Sequence, residues 1–118
     1  MGTRMVSALE SPVHDNWKNA IVAAGETDTV FLNQASRPAL RALRTSLTEE
    51  LQPKGKFNAM EYFARIKELY FGGDMEASIP LSGQVVGRID AVKTADEIVQ
   101  ETMRDFHAIM AELADQYV

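Results

Sequence analysis

Gly2 followed by Thr3 places a residue without a Cβ beside a hydroxyl, a pairing through which a backbone admits an anion closely and offers it amide and hydroxyl donors together. That is phosphate chemistry. Such a pair is common in turns, so its weight depends on what surrounds it. The other residue types that do chemistry are sparse. His14 and His107 fall in different predicted helices with no second histidine at a ligand spacing, and the chain has no cysteine, so no metal site, disulfide or thiolate nucleophile is expected. No Gly-x-Ser-x-Gly elbow and no Gly-x-Gly-x-x-Gly fingerprint occurs, and Gly83 and Gly87 are wrongly spaced for the latter. Hydrolase and dinucleotide-binding classes thereby lose their support. Arg37, Arg41 and Arg44 share one face of a predicted helix, which suits either an anion or partner contact or, as the favoured reading, a solvated face balanced by Glu49 and Glu50.

The elements that must position these residues read as mostly helical. Ser11 as N-cap, Pro12 at the first helical position and Gly25 as a stop bracket a helix over Ser11–Ala24, with Val13, Trp17, Ala20, Ile21 and Ala24 on one face. Thr27–Asn33 is β-branched and aromatic enough for a short strand. Leu40, Leu43, Leu47 and Leu51 form a stripe that predicts a second helix over Arg37–Leu51, closed by Pro53 and Gly55. Asn58 and Glu61 open a third over Asn58–Tyr70, whose broad apolar front asks for a large partner surface. Between Ser82 and Asp90 periodicity alone does not decide the structure. Thr94 and Glu97 make a capping box for a last helix over Thr94–Tyr117, with Ile98, Val99, Met103, Phe106, Ile109, Met110, Leu113 and Tyr117 along one face.

The order of these motifs resembles one family. Met1-Gly-Thr-Arg-Met, Glu10-Ser-Pro-Val-His14, Lys18-Asn-Ala-Ile21, Thr27-Asp-Thr29, Arg37-Pro38 and Ser82-Gly-Gln84 before Gly87 are similar to the C-terminal third of the nitronate monooxygenases, also called 2-nitropropane dioxygenases. The flavin-dependent enoyl-acyl carrier protein reductases are similar too. The resemblance runs through essentially the whole chain and is weakest between Gln52 and Ala77. It implies a mainly α chain with one or two short strands, an α+β piece matching the C-terminal end and helical cap of a flavin-binding (β/α)8 barrel. Residues 1–10 would then be the end of the last barrel strand and its phosphate-binding turn, and residues 11–118 the helical cap domain. It implies FMN as cofactor, held at Gly2 and Thr3 with Met1 in the same contact, and Gln84 lining the cleft between barrel and cap. It also favours a short helix at 82–90, whose glycines allow close packing. No catalytic residue is expected within the chain, because the base would lie upstream of Met1.

At 118 residues the chain is a single domain by length and well short of the ~250 residues of a barrel. With 46% hydrophobic and 25% charged residues it has the composition of a folded globular protein. A net charge of -5 argues against a general hold on nucleic acid or anionic membrane. No leader or membrane-spanning run is read, so the expected compartment is the cytoplasm. The expected partners are an alkyl nitronate in the complete enzyme and, for the broad apolar face around Met60 to Phe71, a second copy or the barrel half. A helical interaction module without catalysis is the rival from another class.

Overall fold

The computed structural model describes Met1–Val118 as six α-helices, a two-stranded antiparallel sheet and two 3-10 turns. The helices are α1 (Gly2–Val6), α2 (Asp15–Ala23), α3 (Ser46–Leu51), α4 (Ala59–Phe63), α5 (Ile66–Tyr70) and α6 (Ala95–Tyr117). Strands β1 (Thr29–Leu32) and β2 (Leu40–Leu43) pair with Thr29 opposite Leu43 and Leu32 opposite Leu40. The 3-10 turns are Gln52–Lys54 and Gln84–Arg88. No helix is long and apolar enough to cross a membrane.

Two apolar clusters hold the fold. Trp17 and Ile21 of α2 meet Leu43, Leu69, Ala77, Val86 and Ile89 in one, and Val30, Leu32, Ala42, Leu51 and Ile79 form the other. Neighbouring residues of β2 thus feed different clusters, Ala42 one and Leu43 the other, as the alternation of a strand dictates.

The helix expected over Arg37–Leu51 is corrected to a strand followed by a short helix. Two local signals explain it. Pro38 lacks an amide hydrogen and biases Arg37 away from helical geometry. Thr45 and Thr48 form a capping box in which the Thr48 amide donates to Thr45 Oγ1 at 3.2 Å and the Thr45 amide donates to Thr48 Oγ1 at 2.7 Å. The box fixes the helix start after Thr45. The Glu76 carboxylate accepts two more first-turn amides, from Ser46 at 3.2 Å and Leu47 at 2.9 Å. Leu40 and Leu43 are released to pair with β1, where cross-strand packing outweighs their helix propensity. Asn33 shapes the connecting loop with φ of 57°. Its buried side chain donates to the Pro38 carbonyl at 2.8 Å and accepts the Phe57 amide at 2.9 Å.

The other boundaries shift less. α2 begins at Asp15, and its N-cap is His14, whose Nδ1 accepts the Asn16 amide at 3.0 Å, so Ser11 and Pro12 lie before the helix. Asn58 caps α4 through the Met60 amide, without the reciprocal Glu61 bond of a capping box, and the segment to Tyr70 breaks at Arg65 into α4 and α5. Of its apolar front, Leu69 is buried while Met60 and Phe71 stand exposed. The capping box of Thr94 and Glu97 is present and starts α6.

The first ten residues contain α1, and they are knit into the rest. The Leu9 amide donates to the Lys93 carbonyl at 2.9 Å, Arg4 donates to the Ala91 carbonyl at 2.8 Å, and Glu10 accepts the Ala95 amide at 3.0 Å. Lys18, almost wholly buried, donates to the Leu9 and Ser11 carbonyls at 3.0 and 2.8 Å and ties this segment to α2. Two glycines are required by geometry. Gly87 in the second 3-10 turn approaches the Glu26 backbone so closely that a Cβ would lie 2.6 Å from its Cα, and Gly73 combines φ of 77° with a Cβ position 2.5 Å from the His14 ring. Close packing at Gly87 agrees with the short helical turn expected there.

Candidate functional site

A cleft of about 560 Å³ opens where α1, α2, β2, the end of α5 and the segment Leu81–Gly83 converge. Gly2 and Thr3 lie on its rim, Val13 and Trp17 come from α2 and the residues before it, and Arg41, Tyr70 and Ser82 complete its more polar parts.

Each wall has a local cause. α1 is only five residues long, and no side chain caps its start, so its first-turn amides have no side-chain acceptor. A Cβ built on Gly2 would meet no protein atom within 4 Å, so its α-carbon faces open space. Thr3 Oγ1 accepts the Gly83 amide at 2.9 Å. Its hydroxyl proton remains able to donate, since a hydroxyl is donor and acceptor at once. Arg41 projects from β2, and its guanidinium donates to Thr29 Oγ1 at 3.0 Å while lying 5.5 Å from the Phe31 ring centroid. Thr29 is opposite Leu43 in the sheet, so Arg41 reaches diagonally across the strand pair.

The floor is aromatic. Trp17 and Tyr70 stack with ring centroids 4.1 Å apart at 18°. Burial pushes the Tyr70 phenol above its ordinary pKa, because the phenolate would be the less solvated form. Trp17 is 1% exposed, and its Nε1 donates to no protein acceptor. An unmatched buried indole N–H is uncommon enough to require an explanation.

The residues expected from sequence divide. Gly2 and Thr3 share the rim, and Ser82–Gly83 comes to them through the Thr3 hydrogen bond. Met1 is exposed and is not among the lining residues. Gln84 is exposed at the start of the second 3-10 turn and does not line this cleft. The expected face of Arg37, Arg41 and Arg44 does not exist, since these residues are not on one helix. Arg44 pairs with Glu49 at 3.8 Å, Arg37 is exposed, and Arg41 alone enters the cleft. No group of three or more acidic or histidine side chains could hold a metal. Arg41 and Tyr70 were the residues hardest to find from sequence. A β-strand reading of Leu40–Leu43 would have put Arg41 on the face opposite Ala42, and that reading needed Pro38 and the Thr45 box to outrank the leucine stripe.

The donor set fits a phosphate-bearing flavin in part. Uncapped amides, the Gly2 opening and the Thr3 hydroxyl suit a phosphate, and the Arg41 guanidinium with the Trp17–Tyr70 stack suits a planar, electron-rich ligand nearby. Arg4, the nearest cation in sequence, is engaged with the Ala91 carbonyl instead.

Solved structures of known proteins are similar to the chain in fold. FabK from Thermotoga maritima matches with a TM-score of 0.87 and 29% identity, covering 98% of this chain and 39% of FabK. A point variant of the same FabK matches with a TM-score of 0.83 and 28% identity, over 98% of this chain and 36% of that one. The chain therefore spans under two-fifths of the length of these solved relatives. The nitronate monooxygenase family model matches residues 1–105, taking in α1, the whole cleft and the first half of α6. With that match across most of its length, the chain belongs to the nitronate monooxygenase family.

Proposed function

We propose that the chain is the cleft-forming C-terminal portion of an FMN-dependent oxidoreductase and that the complete enzyme oxidises alkyl nitronates with oxygen. The observation that carries the reading is the position of Gly2 and Thr3, at the uncapped start of α1 and on the rim of the cleft. When bound, FMN supplies the electron transfer between substrate and oxygen. The chain's own residues hold and enclose. The α1 amides and the Thr3 hydroxyl receive the phosphate, and Gly83 fixes the Thr3 side chain in place. Trp17, Tyr70 and Val13 keep water from one wall of the cleft, and Arg41 places a fixed positive charge beside it, which favours an anionic substrate such as a nitronate. No general base is assigned within the chain.

The FabK likeness favours a second reading, reduction of an enoyl thioester on acyl carrier protein. One assay separates the two. The chain is fused to the part of T. maritima FabK outside the match, and the purified protein is checked for flavin absorbance. It is then given propyl-2-nitronate under oxygen or a short enoyl thioester with a reduced nicotinamide nucleotide. Oxygen uptake with nitronate supports the first reading, and nucleotide oxidation dependent on the enoyl thioester supports the second. A colourless, folded fusion would defeat both. The 118-residue chain by itself is expected to turn over neither substrate, because it supplies one wall of a site that must hold cofactor and substrate to within ~0.5 Å.

A further inference from the structure

Charge is unevenly shared along the chain. Residues 29–48 and 51–60 contain Arg37, Arg41, Arg44, Lys54 and Lys56 but none of the 17 acidic residues that give the whole chain its net charge of -5. The fold draws the two stretches together. The Ala35 amide donates to the Gly55 carbonyl at 2.9 Å, and the buried Asn33 side chain donates to the Pro38 carbonyl at 2.8 Å and accepts the Phe57 amide at 2.9 Å. Arg37 and Lys56 thereby line one depression of about 350 Å³ with Asn33, Phe57 and Met60. Arg37 also lines a second, of about 390 Å³, with Phe31, Gln34 and Ala39. Phe31 is the cross-strand partner of Arg41, whose guanidinium lies 5.5 Å from its ring centroid and which enters the cleft. The three hollows follow one another along the hairpin, and no carboxylate lines any of them. The ion pairs of the chain use Arg44, Arg65, Lys93 and Arg104 and leave the exposed Arg37, Lys54 and Lys56 without one.

We propose that this run is an outer subsite of the cleft, in which Arg37, with Lys56 beside it, holds an anionic group at the far end of the substrate while the reacting end lies by Arg41. The inference rests on the oxidoreductase reading above and adds that the substrate is elongated and carries a charged tail. Arg37 and Arg41 are four residues apart, at most about 14 Å of extended chain, which sets the reach of that tail. Between them the Phe31 ring, 40% exposed, offers an apolar surface to the part of the substrate that joins its two ends. A guanidinium without a carboxylate partner can give a carboxylate or phosphate two parallel hydrogen bonds. The loop that carries it is pinned by Asn33 on both sides, so little freedom is lost when the anion binds.

The test has two stages. The isotopically labelled 118-residue chain is titrated with phosphopantetheine, with neutral pantetheine and with inorganic phosphate, and amide shifts are followed. Phosphopantetheine is expected to bind at least tenfold more tightly than either of the others and to move the amides of Phe31, Arg37 and Phe57. Arg37→Glu with Lys56→Glu should abolish those shifts, and Lys67→Glu, the same charge reversal on α5, should leave them. Equal binding of inorganic phosphate, which is an adventitious ion only, or shifts confined to Gly2 and Thr3 would overturn the subsite. The fusion with FabK then receives two matched pairs, ω-nitrodecanoate against nitrodecane as their nitronates, and crotonyl phosphopantetheine against crotonyl pantetheine with a reduced nicotinamide nucleotide. In the pair that is turned over, the anionic member should have a KM at least tenfold lower at similar kcat, and the Arg37 and Lys56 double variant should erase that difference. Which pair shows it identifies the source of the tail. Equal KM values within a pair that is turned over would defeat the subsite and leave the oxidoreductase reading standing. A fusion that turns over neither pair would defeat that reading, while the titration of the chain still decides whether the anion site exists.

Discussion

Thr3 Oγ1 accepts the backbone amide of Gly83 at 2.9 Å, joining the rim of the cleft at α1 to the segment that enters the second 3-10 turn. This bond makes the hydroxyl both a structural fastening and a free donor toward the cleft.

Thr3→Val keeps the shape and removes the acceptor, leaving the half-buried Gly83 amide without its partner. The expected loss is about 1 kcal/mol of stability, with Thr3→Ser restoring most of it. Urea unfolding of the three proteins measures it. In the fusion with FabK, the valine variant should also release flavin more readily. Equal flavin retention in the valine variant and in a bulky Gly2 variant would remove this rim from the cofactor site.

Asn33→Ala should be among the more damaging single changes outside the apolar clusters. It strips partners from the Pro38 carbonyl and the Phe57 amide together and leaves alanine at φ of 57°. A loss of roughly 2–4 kcal/mol is expected from the unmet groups and the backbone strain. A loss under about 0.5 kcal/mol, as at an ordinary surface position, would show that water replaces both bonds.

α6 supplies an internal comparison. Phe106→Ala would cost about 3–5 kcal/mol if that face were fully buried, but Phe106 is 52% exposed, so a change below about 1 kcal/mol is expected in the chain by itself. Ile98→Ala, on the same helix but buried, should cost about 2–5 kcal/mol. Thermal unfolding of both variants checks the contrast, and a large loss at Phe106 would mean that the face is already covered in solution.

Tyr70 gives a pH dependence with a definite sign. Burial raises its pKa, so the folded state holds the phenolic proton more tightly than the unfolded state does. The stability this contributes is complete below the unfolded-state pKa of about 10 and is lost as pH rises through the higher folded value. Wild-type stability should therefore fall more steeply above about pH 10 than that of Tyr70→Phe. Absorbance titration of tyrosinate in the folded protein tests the same point, and identical alkaline profiles for the two proteins would refute it.

What the sequence made legible was whatever is decided within one turn of chain. The Asn58 cap and the Thr94 and Glu97 box act through neighbours two or three residues away, and both are where the pattern put them, as is the β-branched run of β1. The leucine stripe misled because one spacing satisfied two structures, and the choice fell to β1, which lies elsewhere in the sequence. Arg41 reached the cleft only through that choice. The apolar stripe of α6 was read correctly as a stripe, but periodicity says which residues share a side and not whether anything lies against it. Gly2 and Thr3 stood out through their motif, whereas the Trp17–Tyr70 stack joins residues 53 apart and left no local trace.

The fastenings of the first ten residues also set a schedule. Thr3 bonds to Gly83, Arg4 to Ala91, Leu9 to Lys93 and Glu10 to Ala95, so every one of these ties waits for residues more than 75 positions downstream. At translation rates of about 5–20 residues per second, that wait is on the order of 10 s. During it the first segment has only its Lys18 ties to α2, and β1, β2 and α3 can assemble from partners close in sequence. The rim of the cleft is thus sealed late in synthesis, and a ribosome pause between Gly83 and Ala95 would lengthen the interval in which α1 lacks these ties.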